Sequence, residues 1–195
     1  MAEWITLVDD NDISTGFAEK IYTHKKALLH RAFSVFVVNK YDEKILLQKR
    51  SKGKYHSGGL WSNTCCSHQY RSESLFEAVQ RRLHQELGIS LNYSNKNENQ
   101  GSSAFVNCEI SEIGVFRYFK QFPDLAENEI DHVFLVTINE ENLDIHINHE
   151  EVEEIKWATH SDITNWMKRS PNDFTAWFGK AYLLLCNMFV SKGCE

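Results

Sequence analysis

Trp61-Ser62-Asn63-Thr64-Cys65-Cys66-Ser67-His68 runs, six residues later, into Ser74-Leu75-Phe76-Glu77-Ala78-Val79-Gln80-Arg81-Arg82-Leu83-His84-Gln85-Glu86-Leu87-Gly88. The second run predicts a helix over 74–87. Phe76, Val79, Leu83 and Leu87 fall at helical spacing on one face. Ser74 with Glu77 fits a capping box, and Gly88 supplies the stop. The first run predicts a short strand over 60–64 that delivers a thiol two residues from an imidazole. On an extended chain Cys66 and His68 point the same way, because side chains alternate faces. Alone, Cys66 reads as a small buried hydrophobe. Beside a metal-binding imidazole it reads as a reactive thiol.

Outward from this centre, strands and helices mix without strict alternation, which predicts one α+β domain spanning 1–195. Strands are expected over 4–8, 32–39, 45–50, 113–122, 129–138 and 155–158, with Tyr41 to Lys44 as a hairpin turn. Thr15-Gly16 reads as a break, and 19–29 as a mixed segment. Ser51 to Gly59 is a loop rich in glycine and cations, and 92–103 a polar loop without periodicity. The acidic stretch 149–154 reads as surface. Ser161 is expected to cap a helix over 161–169, and 175–190 to form a last amphipathic helix.

A net charge of -6 argues against nucleic-acid and anionic-membrane partners. It leaves room for a small anionic substrate where cations gather locally. Five cysteines without C-x-x-C spacing argue for a reducing compartment. With no signal-peptide pattern and no membrane-length apolar run, a cytoplasmic protein is expected. Three imidazoles, His24, His30 and His68, with the carboxylates of Glu127 and Glu129 at i and i+2, suit a divalent ion such as Mn²⁺, Mg²⁺ or Zn²⁺.

Ser67 to Ile89 resembles the Nudix box. Glu73, Arg81, Leu83, Glu86, Gly88 and Ile89 match it, while Ser67, Arg82 and Gln85 stand where it has a Gly and two Glu. Nudix hydrolases hold magnesium on a diphosphate with those helix carboxylates, and this helix lacks the charge for a multi-metal site. Four segments occur in order: Leu28-Leu29-His30-Arg31-Ala32-Phe33-Ser34, Trp61 to His68, the degenerate box, and Glu127-Asn128-Glu129. That order resembles the type I isopentenyl diphosphate isomerases, a non-hydrolytic branch of the Nudix fold, over nearly the whole chain.

The resemblance implies a Nudix-like mixed β-sheet core flanked by helices. It implies interconversion of isopentenyl and dimethylallyl diphosphate by adding and removing protons. It puts one divalent ion (Mn²⁺, Zn²⁺ or Mg²⁺) on His24, His30, His68, Glu127 and Glu129. A Mg²⁺ that accompanies the diphosphate falls to Glu86 and the Cys66 backbone carbonyl. The catalytic groups fall on Cys66, Glu129, Tyr118 and Trp177, and the diphosphate cations on Lys20, Arg50, Lys54 and Arg82. Cys65 is a rival thiol, although its spacing from His68 favours Cys66. Gly58-Gly59 replaces a common Pro-Gly pair. The protein is expected as a monomer or weak dimer. The competing readings are a Nudix hydrolase of a nucleoside diphosphate derivative and a catalytically inert binding module.

Overall fold

The computed structural model describes residues 2–93 and 105–192. Its axis is β3 (His30–Asn39), HRAFSVFVVN, in which every residue but Arg31 is buried. A strand covered on both faces reads as a continuous apolar run, which explains the β-branched and aromatic content. Phe33, Val35 and Val37 enter one core cluster, and Phe36 and Val38 the other. Along its other edge β3 pairs in parallel with β9 (Ala126–Ile138), from His30↔Glu129 to Asn39↔Ile138.

Three strands share the remaining edge of β3. Leu7 of β1 (Trp4–Val8) lies opposite His30, β6 (Cys65–His68) covers Ala32 to Val35, and β4 (Lys44–Arg50) covers Val37 to Asn39. The path continues as β10-β4-β3-β9-β8-β7, where β7 is Ser90–Tyr93, β8 Phe105–Gln121 and β10 Val152–Ala158. Strands β2 (Ser14–Glu19) and β5 (Trp61–Ser62) pair with β1 and β4.

Helix α2 (Leu75–Leu87) lays Ala78, Val79, Leu83 and Leu87 on one face of the sheet. The other face is covered by α4 (Phe178–Lys192) through Phe178, Ala181, Tyr182 and Leu185, and by α3 (His160–Arg169) through Ile163. The expected capping box is present: Ser74 Oγ accepts from Glu77 N, and Glu77 reaches back to the Ser74 N–H. Gly88 ends the helix in the left-handed region at φ 70°. Phe76 differs from expectation in being 41% exposed, although its ring packs edge-on against Phe134 at 5.4 Å.

Other boundaries moved for physical reasons. Thr15-Gly16 lies inside β2, because pairing with β1 outweighs the local break. Residues Lys20–Lys25 form α1, whose cap is the Glu19 carboxylate accepting from Ile21 and Tyr22. Thr159, not Ser161, caps α3, with Asp162 completing its box. Strands β8 and β9 run longer than their apolar cores because antiparallel pairing continues through polar residues to Gln121↔Ala126. The expected polar loop begins inside β7, and its remainder from 94 lies outside the described residues.

Candidate active site and metal centre

The strand order collects residues that lie more than a hundred positions apart, from His24 to Glu129. His30 opens β3 directly beside Glu129 of β9, and antiparallel pairing brings His68, the last residue of β6, opposite Ala32. Glu127 and Glu129 share one face of β9, and α1 supplies His24. One potential ligand atom from each of these five residues lies within 4.8 Å of all the others. All five residues are buried.

Two of the three imidazoles are oriented from behind. His24 Nδ1 lies 2.6 Å from the Lys20 carbonyl and His30 Nδ1 2.8 Å from that of Leu28. A carbonyl only accepts, so each Nδ1 carries the proton and each Nε2 presents a lone pair. Those two Nε2 atoms have no hydrogen-bond partner, and each lies 3.4 Å from a carboxylate oxygen, of Glu127 and Glu129 respectively. His68 Nε2 is 3.0 Å from Glu129 Oε1.

Burial pushes His30 down to about 4 and His68 well below the ordinary imidazole value, reinforced in both by the neighbouring rings. Burial and the Glu127 charge push Glu129 up. For Glu127 burial acts upward too, but its close neighbours Glu129, His24 and His56, the last at 2.6 Å, hold it well below the carboxylate range. Neutral imidazole lone pairs converging on carboxylates in a buried space fit a divalent cation.

A cleft joins this cluster to the thiol and to the cations, with Cys66, His68, Glu129 and Trp177 on its wall. Cys66 Sγ lies 3.5 Å from Arg50 Nη1. Burial pushes the thiol up to about 11, and the Arg50 charge opposes that shift. Cys65 faces the other way, fully buried in the core with Phe33 and Val79. The indole of Trp177 is held by Nε1 donating to Asn63 Oδ1 at 3.2 Å, and Arg50 Cζ lies 5.3 Å from its ring. Tyr118 is paired opposite Glu129 and meets Trp177 edge-on at 6.1 Å, but is not among the cleft-lining residues. Burial, then the charges of Glu127 and Glu129, raise its phenol.

Lys20, Arg50, Lys54 and Arg82 all line the same cleft. Lys20 Nζ donates to Glu3 Oε2 at 2.9 Å. Arg82 Nη2 donates to Glu86 Oε1 and to Glu151 Oε2, the latter at 2.9 Å, and Lys54 Nζ contacts the same Glu151 oxygen. Glu86 is buried and also accepts from Gln48 Nε2 at 3.0 Å. Helix α2, which carries Glu86, packs against β6, which carries the Cys66 carbonyl.

Sequence reasoning missed three cleft residues, Tyr55, His56 and Asp131. His56 Nε2 lies 2.6 Å from Glu127 Oε1, and its ring packs against Phe122 at 4.9 Å and edge-on to Trp177 at 5.9 Å. Its signal was a lone histidine in the cation-rich loop. Asp131 accepts from Ser34 Oγ at 2.9 Å, and burial pushes its carboxyl up to about 7. Its signal was the continuation of Glu127 and Glu129 at the same two-residue spacing. The acidic stretch read as surface contains Glu151, which instead ties two of the cations.

The NUDIX domain matches residues 28–178. The isopentenyl-diphosphate Delta-isomerase 2 of Aromatoleum aromaticum is 36% identical over 178 residues, covering 91% of this chain and 83% of that protein. The isopentenyl-diphosphate Delta-isomerase of Aliivibrio fischeri is 37% identical over 185 residues, covering 93% and 94%. The chain belongs to the isopentenyl-diphosphate Delta-isomerase family. The Nudix fold is shared with a crystal structure from Deinococcus radiodurans at TM-score 0.64 and 15% identity, covering 93% of this chain and 97% of that one.

Within this isomerase family member, the degenerate box divides its labour. Glu73 and Arg81 form a two-pronged pair at 2.6 and 2.8 Å that pins the loop before α2 onto the helix. Arg82, where the box has a Glu, turns back onto Glu86. Among the described residues no helix is long and apolar enough to cross a membrane.

Proposed function

We infer that this chain interconverts isopentenyl diphosphate and dimethylallyl diphosphate. The observation that carries the reading is one cleft that joins Cys66, Glu129 and Trp177 to four cations. The double bond moves by one position: a proton is added to the terminal methylene carbon, leaving a tertiary cation. A proton is then lost from the methylene on the far side of that cation. Neither event occurs readily at a simple alkene in water, so both proton carriers must be positioned.

In our proposal Cys66 and Glu129 carry those protons, one at each end of the three-carbon unit. Tyr118 assists on the Glu129 side, where strand pairing sets it opposite that residue. The Trp177 ring face stabilises the tertiary cation, an interaction worth ~2 kcal/mol when desolvated. Lys20, Arg50, Lys54 and Arg82 bind the diphosphate without cleaving it.

A divalent ion, Mn²⁺, Zn²⁺ or Mg²⁺, held by His24, His30, His68, Glu127 and Glu129 would supply positive charge that tunes the acidity of the neighbouring acid groups. A Mg²⁺ shared by Glu86, the Cys66 carbonyl and the substrate diphosphate would neutralise phosphate charge. The free thiols of Cys65, Cys66, Cys108 and Cys186 support a reducing, cytoplasmic location.

The test is incubation of purified protein with isopentenyl diphosphate in deuterated water. Dimethylallyl product carrying deuterium, lost with chelator, is the expected result. Phosphate release from nucleoside diphosphate derivatives without any double-bond shift would assign a hydrolase instead. Failure to bind a divalent ion would leave a binding module.

A further inference from the structure

Three of the four cleft cations are each tied to a carboxylate that does not line the cleft. Glu3 holds Lys20, and Glu151 holds both Lys54 and Arg82 through the single oxygen Oε2. Glu3 and Glu151 line a second recess, together with Trp4, Tyr70 and Asn148, on which Arg82 also borders. The carboxylates therefore lie off the cleft wall, in the recess that Arg82 also borders, while all three cations keep a place on the cleft wall. The backbone of Glu151 is pinned as well. Its carbonyl accepts from Ser51 N at 3.0 Å, at the root of the loop that carries Lys54, and its N–H donates to Asn148 at 2.9 Å.

An ammonium and a guanidinium repel each other, and each is flexible. A shared anion behind them cancels the repulsion and restricts both side chains before substrate arrives. We propose that Glu151 is a positioning residue for diphosphate binding: it holds Lys54 and Arg82 side by side facing the cleft, and Glu3 does the same for Lys20. This rests on the reading that the cleft takes an isoprenoid diphosphate. Were Glu151 instead a stand-in for the diphosphate, it would share the cleft wall with Cys66, and it does not.

The test compares the full chain with Glu151→Gln, Glu151→Asp and Glu3→Gln. KM and kcat for isopentenyl diphosphate are measured, and inorganic pyrophosphate binding is read by calorimetry. Glu151→Gln should raise KM and the pyrophosphate Kd together, by about tenfold, with kcat changed less than twofold. Glu151→Asp should recover part of that loss. An unchanged or lower KM and Kd, or a kcat loss with KM intact, overturns the proposal. If Glu151→Gln fails to fold, Glu3→Gln decides, with a parallel rise of about threefold expected and no change fatal. Pyrophosphate binding needs no turnover, so a wild-type chain without isomerase activity would refute the substrate reading while leaving this comparison intact.

Discussion

Cys65 and Cys66 are adjacent in the chain and face opposite sides of β6: Cys65 is sealed in the apolar core, and Cys66 opens onto the cleft 3.5 Å from Arg50. Pleating alone separates the two thiols, and it makes them chemically unequal. Replacing Cys66 by Ala should abolish turnover while fold and metal content persist. Replacing Cys65 by Ala should keep turnover and cost about 1–2 kcal/mol of stability through a small cavity. Paired activity assays and denaturant melts of the two variants check this. Activity retained in Cys66→Ala would overturn the proposed proton-carrying role of Cys66.

Removing divalent ions should stop product formation, and adding them back should restore it. The apo protein should also melt at a lower temperature, because a ligand that binds only the folded chain stabilises it, by about 2.7 kcal/mol at a hundredfold excess over Kd. His30→Ala should lose the metal-dependent part of that melting shift. A shift of wild-type size in that variant would exclude His30 as a ligand.

The Glu151 carboxyl gives stability a defined acid limit. Burial acts to raise it, but the Arg82 charge and the Lys54 hydrogen bond win and bring it to about 2, against an ordinary 4.5. A group that binds its proton less readily when folded stabilises the fold fully above its unfolded value. That contribution fades as pH falls from 4.5 towards 2. The stability gap between wild type and Glu151→Gln should therefore be constant from neutral pH to about 5 and shrink below it. Urea unfolding across that range measures it, and a gap independent of pH would contradict the ion-pair origin.

Gly88 should tolerate no side chain. Its φ of 70° lies in the left-handed region, and a Cβ there would come within 2.9 Å of His146 Cβ. Gly88→Ala should cost about 1–3 kcal/mol, read by thermal or denaturant melts, with kcat little altered.

Local chemistry was legible in the amino-acid order alone. The α2 helix follows from apolar spacing and a capping residue within one turn, and β3 from an unbroken apolar run. Resemblance of short words to one isomerase family nominated the five cluster residues, and the fold brings their side chains within 4.8 Å. What only the tertiary structure decided is which charges meet. The partnership of Glu151 with Lys54 and Arg82, the contact of His56 with Glu127 and the seat of Asp131 depend on strand order and register across gaps of up to 97 residues. A polar residue's neighbours at that range leave no periodic trace in the chain. Apolar spacing records burial against an adjacent layer, whereas an ion pair is set by where two distant strands happen to end.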